Sequence, residues 1–104
     1  MNIKSINTPD QPNWMQRFRP TDIKWLNEEK TAALCVLSDQ RYHLKLIWTK
    51  DGTPQGTNCE EIASTQDIEL EKLEQAFDSF EPSQEMEAEN LVTIASQIRQ
   101  QIAA

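Results

Sequence analysis

The sequence predicts an α+β domain: a three-stranded antiparallel meander followed by a C-terminal antiparallel helical hairpin, with an irregular N-terminal arm. Three observations carry this reading. Tyr42, Leu44, Leu46 and Trp48 alternate with His43, Lys45, Ile47 and Thr49, which is strand periodicity. Leu70, Leu73, Phe77 and Phe80 repeat as a helical seam, and Ala88, Leu91, Ala95, Ile98 and Ile102 make a second one. Pro9, Pro12 and Pro20 oppose regular helix in the first 20 residues, where Asn2, Asn7, Asp10 and Asn13 favour turns. A chain of 104 residues, 38% hydrophobic and 26% charged, suits one folded unit with a modest core. We therefore divide it into residues 1–20, an arm packed on the domain, and residues 21–104, a single α+β domain.

Within the arm, Trp14, Met15 and Phe18 fall on one side of a short helical turn, flanked by Arg17 and Arg19. They serve either to pin the arm to the core or, with Trp14, Arg17 and Phe18 as anchors, to engage a partner through aromatic and arginine chemistry. Ile23 and Trp25 alternate as a strand would, although Thr21 could also cap a short helix. A strand or short turn leading into the sheet is favoured for residues 21–30. Residues 31–37 are apolar and β-compatible, and residues 38–41 form a polar turn into the alternating strand. Asp51-Gly52 is a hairpin signal. The third strand, Thr53 to Cys59, contains Pro54 and Gly56, so it belongs at a sheet edge. Ser64 or Thr65 caps the first helix, with Asp67 near its positive end and Ile68 and Ala76 beside the seam. Glu81-Pro82-Ser83 breaks the chain, and Ser83 caps the second helix. A short link favours antiparallel helices.

The charge is divided unequally along the chain. Residues 1–50 hold eight Lys/Arg against five Asp/Glu, a net +3, and residues 51–104 hold two against twelve, a net −10. A pI near 4.6 argues against binding nucleic acid or an anionic membrane through bulk charge. No apolar run approaches the roughly 20 residues that a membrane span needs, and no apolar leader is visible, so a cytoplasmic location is expected.

Catalytic and cofactor motifs are absent, and no enzyme activity, cofactor or metal is expected. Asp67, Glu69 and Glu71 mimic the start of a calcium loop, but Lys72 stands where the loop needs glycine. No Glu-x-x-His pair exists for a di-iron site, and the glycines form no phosphate loop. Cys35 and Cys59 are expected to be reduced packing residues. If Asp39-Gln40 and Asp51-Gly52 are two-residue loops, Val36 faces His43, while Cys35 and Cys59 flank Leu44. Both thiols then lie on one sheet face and His43, the sole histidine, on the other, which excludes a Cys–His dyad.

The remaining signal is acidic. Asp67, Glu71, Glu74, Asp78 and Glu81 span about 80° of a helix at 100° per residue. Like charges at i, i+4 cost about 0.2–0.5 kcal/mol per pair, and Asp78 and Glu81 oppose the helix dipole. Three readings compete: a solvated face, internal complementation by Arg17, Arg19, Lys24 or Lys45, and a docking face for a basic partner. The sequence is best read as a small acidic soluble protein-binding module, an adaptor, regulator or inhibitor without catalysis. Its partner-binding residues are Asp67, Glu71, Glu74, Asp78 and Glu81, with Trp14, Arg17 and Phe18, and its partner is a protein with a basic surface. The alternatives are an acidic inhibitor mimicking nucleic acid and a structural subunit, for instance of a homodimer.

Overall fold

The computed structural model describes residues 13–15, 20–50, 52–82 and 90–103. Four strands form one antiparallel sheet in sequential order: β1 Pro20–Trp25, β2 Ala32–Ser38, β3 Tyr42–Thr49 and β4 Thr57–Ser64. Helices α1, Leu70–Ser79, and α2, Leu91–Ala103, follow. The fold is α+β. The sheet has four strands where three were expected, because the alternation of Ile23 and Trp25 does make a strand, paired with β2 through Ile23↔Cys35 and Trp25↔Ala33. Asn27 holds the β1–β2 turn: its Oδ1 accepts the Thr31 amide at 3.0 Å and its Nδ2 donates to Thr31 Oγ1 at 2.8 Å.

The sheet separates two cores. On the helix side, Leu34, Val36, Leu44, Leu46 and Ile62 pack against Leu73, Phe77, Leu91, Ala95 and Ile98. These positions follow the strand period of two and the helical seams, so burial of apolar area drives both elements into contact. On the other side, Trp14 and Met15 cover Ala33, Cys35 and Ile47, with Ile23 and Trp25 alongside. Trp14 meets Trp25 edge to face, with centroids 6.5 Å apart.

Two turns differ from expectation, each for a local reason. The β2–β3 turn spans residues 39–41, not Asp39-Gln40 alone, because Asp39 Oδ1 accepts the Arg41 amide at 3.1 Å and closes an Asx turn. Pairing therefore runs Leu37↔His43, Val36↔Leu44 and Cys35↔Lys45. This one-residue slip puts two core residues opposite each other and turns His43 to the face of Cys35 and Cys59, correcting the expectation that it lies opposite them. The connection from β3 to β4 is longer than a two-residue hairpin. Pro54–Gly56 form a 3₁₀ turn rather than part of a strand, and β4 begins at Thr57. Proline lacks the amide a ladder requires but suits the first position of such a turn. Asp51 lies outside the described residues, whereas Gly52 takes φ +81°, which glycine adopts without strain. β4 is an edge strand, as expected of the third strand.

The first helix is shorter than its sequence pattern. Ser64 and Thr65 do not cap it. Ser64 Oγ accepts the Gln66 amide and Thr65 Oγ1 accepts the Tyr42 amide, so both side chains are used in the turn after β4. Glu69, extended at ψ 148°, precedes the first helical residue without a side-chain cap. Ser83, Ala88 and the link between the helices lie outside the described residues. Leu91 begins α2, and Leu91, Ile94, Ala95 and Ile98 are its buried side. No helix among the described residues is long and apolar enough to cross a membrane.

Candidate functional site

The acidic stripe is built on α1. Leu73, Ala76 and Phe77 are buried, which turns Glu71, Glu74 and Asp78 outward to solvent. Asp67 and Glu81 are exposed too, but not helical: Asp67 sits in the turn before α1, donating its amide to Ser64 O at 3.0 Å, and Glu81 lies past the helix end. The helix therefore carries the three central acids, with one flanking acid beyond each end. Among the described residues none of the five forms an ion pair.

Of the four cations expected to complement the stripe, Arg17 and Arg19 lie outside the described residues, and neither Lys24 nor Lys45 pairs with its carboxylates. Lys45 shares the sheet face of Cys35, away from the helices, because Leu44 and Leu46 on either side of it face α1 and α2. Lys24, on β1, reaches α1 but bonds backbone rather than carboxylate. Its ammonium donates to the carbonyl oxygens of Phe77, Asp78 and Phe80 at 2.5, 3.1 and 2.8 Å. It also stands 4.8 Å from the centroid of the Phe77 ring. α1 has no C-terminal glycine motif; Phe80 is extended and Pro82 follows. Lys24 thus supplies donors and positive charge at the helix end, where the Phe77 carbonyl otherwise accepts only the Phe80 amide.

Asp22, two residues before Lys24, lies on the same side of β1, pairing with Val36. Thr21, Asp22, Val36, Tyr42, Glu74, Phe77 and Asp78 line a cleft of about 200 Å³ between the sheet and α1. Partial desolvation pushes the Asp22 carboxyl above its ordinary range, the nearby Asp78 pushes it the same way, and Lys24 opposes both. Sequence reasoning missed Asp22 and the capping role of Lys24. The available signal was the period-two placement of both on the helix-facing side of β1. A wider groove of about 570 Å³ lies between the helices, lined by Lys72, Gln75, Ala76, Asp78, Ser79, Gln101 and Ile102.

The aromatic arm divides. Trp14 is only 3% exposed and packs in the second core, so it is not available at the surface as a partner anchor. Arg17 and Phe18 lie outside the described residues.

The His43 ring is held by carboxylates rather than thiols. Nδ1 is 2.6 Å from Glu61 Oε1 and Nε2 is 3.3 Å from Asp39 Oδ1. Neither cysteine forms a disulfide; Cys35 is buried and Cys59 exposed. Burial pushes the Cys35 thiol far above its ordinary value, with a smaller contribution from Cys59, which opposes formation of the thiolate that nucleophilic attack requires. No group of three or more His, Cys, Asp or Glu among the described residues is arranged to hold a metal ion. Midway along β4, Arg99 from α2 pairs with Glu60 at 3.0 Å and donates to the Glu61 carbonyl at 2.7 Å.

Neither protein-family models, nor curated proteins, nor solved structures provide a match to this chain.

Proposed function

We propose that this chain is a small acidic, cytoplasmic protein-binding module, an adaptor, regulator or inhibitor that docks a basic partner surface through α1. In this reading α1 and α2 are an antiparallel hairpin laid on one sheet face, which leaves Glu71, Glu74 and Asp78 as a row, with Asp67 and Glu81 extending it. The observation that carries the reading is the use made of Lys24. Lys24, seated against α1, bonds carbonyls at the helix end, and the exposed acids beside it have no ion-pair partner among the described residues. Such a face attracts cations at long range and gives a complex speed and selectivity.

A triple variant tests it: Glu71→Gln, Glu74→Gln and Asp78→Asn. With no described ion pair to lose, the isolated variant should melt no lower than wild type, and slightly higher as like-charge repulsion is relieved. Capture of partner from native lysate should weaken, and its dependence on salt should flatten. Unchanged capture at both low and high salt rejects the docking face. Lost stability, more marked at low salt, restores internal complementation in its place.

A further inference from the structure

The carboxylates at the two ring nitrogens of His43 come from different elements, Glu61 from β4 and Asp39 from the β2–β3 turn. An ionised carboxylate only accepts hydrogen bonds, and a neutral imidazole has one donor nitrogen and one acceptor. A neutral ring therefore satisfies one carboxylate and turns a lone pair toward the other, whereas the imidazolium donates to both. We propose that Asp39, His43 and Glu61 form a proton-operated clamp, which ties the β2–β3 turn to β4 when the ring is doubly protonated and releases Asp39 from the ring, though not from the Arg41 amide, when it is not.

The geometry identifies which arm opens. The Glu61 contact is the shorter, 2.6 against 3.3 Å, so the last proton stays on Nδ1 and the lone pair of Nε2 is left facing Asp39. Lys45, two residues along β3 and opposite Glu61, shares the sheet face with Cys35, buried on β2, and Cys59, exposed on β4. Arg41, in the turn, bonds Gln66, and Arg99 of α2 is engaged with Glu60 and the Glu61 carbonyl. The Asp39 carboxyl is held below its ordinary range, first by the Arg41 amide, against slight desolvation, then by the Gln40 amide and by His43. It is therefore ionised wherever imidazole ordinarily titrates. The clamp is complete when both ring nitrogens carry a proton and half-open when only Nδ1 does. Tyr42, between Asp39 and His43 in sequence, is the exposed aromatic that borders the cleft with Glu74 and Asp78 on the opposite sheet face.

His43 is the sole histidine of the sequence, so its ring nitrogens are unambiguous in nitrogen-15 spectra of the full chain. As pH is raised, the doubly protonated ring should give way to the Nδ1–H tautomer. The backbone amides of Asp39, Gln40 and Arg41 should shift with the same midpoint. In Asp39→Asn, which keeps the Asx turn, the ring should still titrate while the coupled amide shift is lost. The proposal is overturned by an Nε2–H tautomer at alkaline pH, by turn amides that ignore the ring, or by amides that follow it equally in Asp39→Asn.

Discussion

Replacing Lys24 by Met removes an ammonium while keeping a long, unbranched apolar stem, so the loss isolates the charge. That charge makes three hydrogen bonds to carbonyls at the end of α1 and lies over the Phe77 ring. A cation at a helix C-terminus contributes about 0.3–1 kcal/mol when exposed and up to about 2 when partly buried. Lys24 is half-buried, which puts it toward the upper end of that range. A cation–π contact adds about 0.5–1 kcal/mol, but withdrawing the ammonium from water offsets part of the gain. The net expectation for Lys24→Met is a loss of about 1–2 kcal/mol. At about 4–8 °C per kcal/mol for a domain near this size, the melting temperature should fall by roughly 4–16 °C. Urea denaturation should show a lower midpoint at unchanged slope. Amide exchange at Phe80, whose N–H bonds Phe77 O at 3.3 Å, should accelerate more than exchange in the centre of β3. A Lys24→Met midpoint within about 0.3 kcal/mol of wild type would refute the capping argument, since the carbonyls would then be as well served by water.

Three further outcomes follow from burial and charge. Asp22→Asn should stabilise the protein at neutral pH: a carboxyl raised in the fold favours folding fully only below its ordinary value of 3.8, and that contribution is lost as pH rises through the folded value. The advantage of the Asn variant should therefore vanish in urea melts run below that value, and an equal advantage at both pH values refutes the cause assigned. Phe77→Ala should cost about 3–5 kcal/mol and Ile98→Ala about 2–5, since both are buried in the helix-side core, and an unchanged denaturant midpoint for either would overturn the packing described. Trp14→Ala should cost about 3–5 kcal/mol by opening the second core, and a midpoint close to wild type would show that residues 13–15 add little to the fold.

Much of the fold is legible in local pattern. The alternation of residues 42–49 and the seam through Leu73, Phe77, Leu91 and Ile98 report burial directly, because each period matches the geometry of its element. Register is less legible. The side chain of Asp39 lengthened a turn by one residue, and that changed the face on which His43 lies. Helix limits also shifted, since Ser64 and Thr65 are good caps in isolation but here bond the turn and Tyr42. The stripe of acids was visible as a spacing, whereas the role of Lys24 was not. Its carbonyl partners stand more than fifty residues away, and nothing in the local sequence of either segment announces the meeting.

Arg99 bears on how copies of this chain can meet. An outer strand with vacant backbone groups is a template on which another strand can grow. On β4 the Glu61 carbonyl is taken by Arg99, the ladder is interrupted by a bulge opposite Leu44 and Lys45, and Glu60 and Glu61 add charge. A strand arriving there would have to evict a guanidinium that is also paired with Glu60. Self-association by sheet extension is thereby steered away from β4.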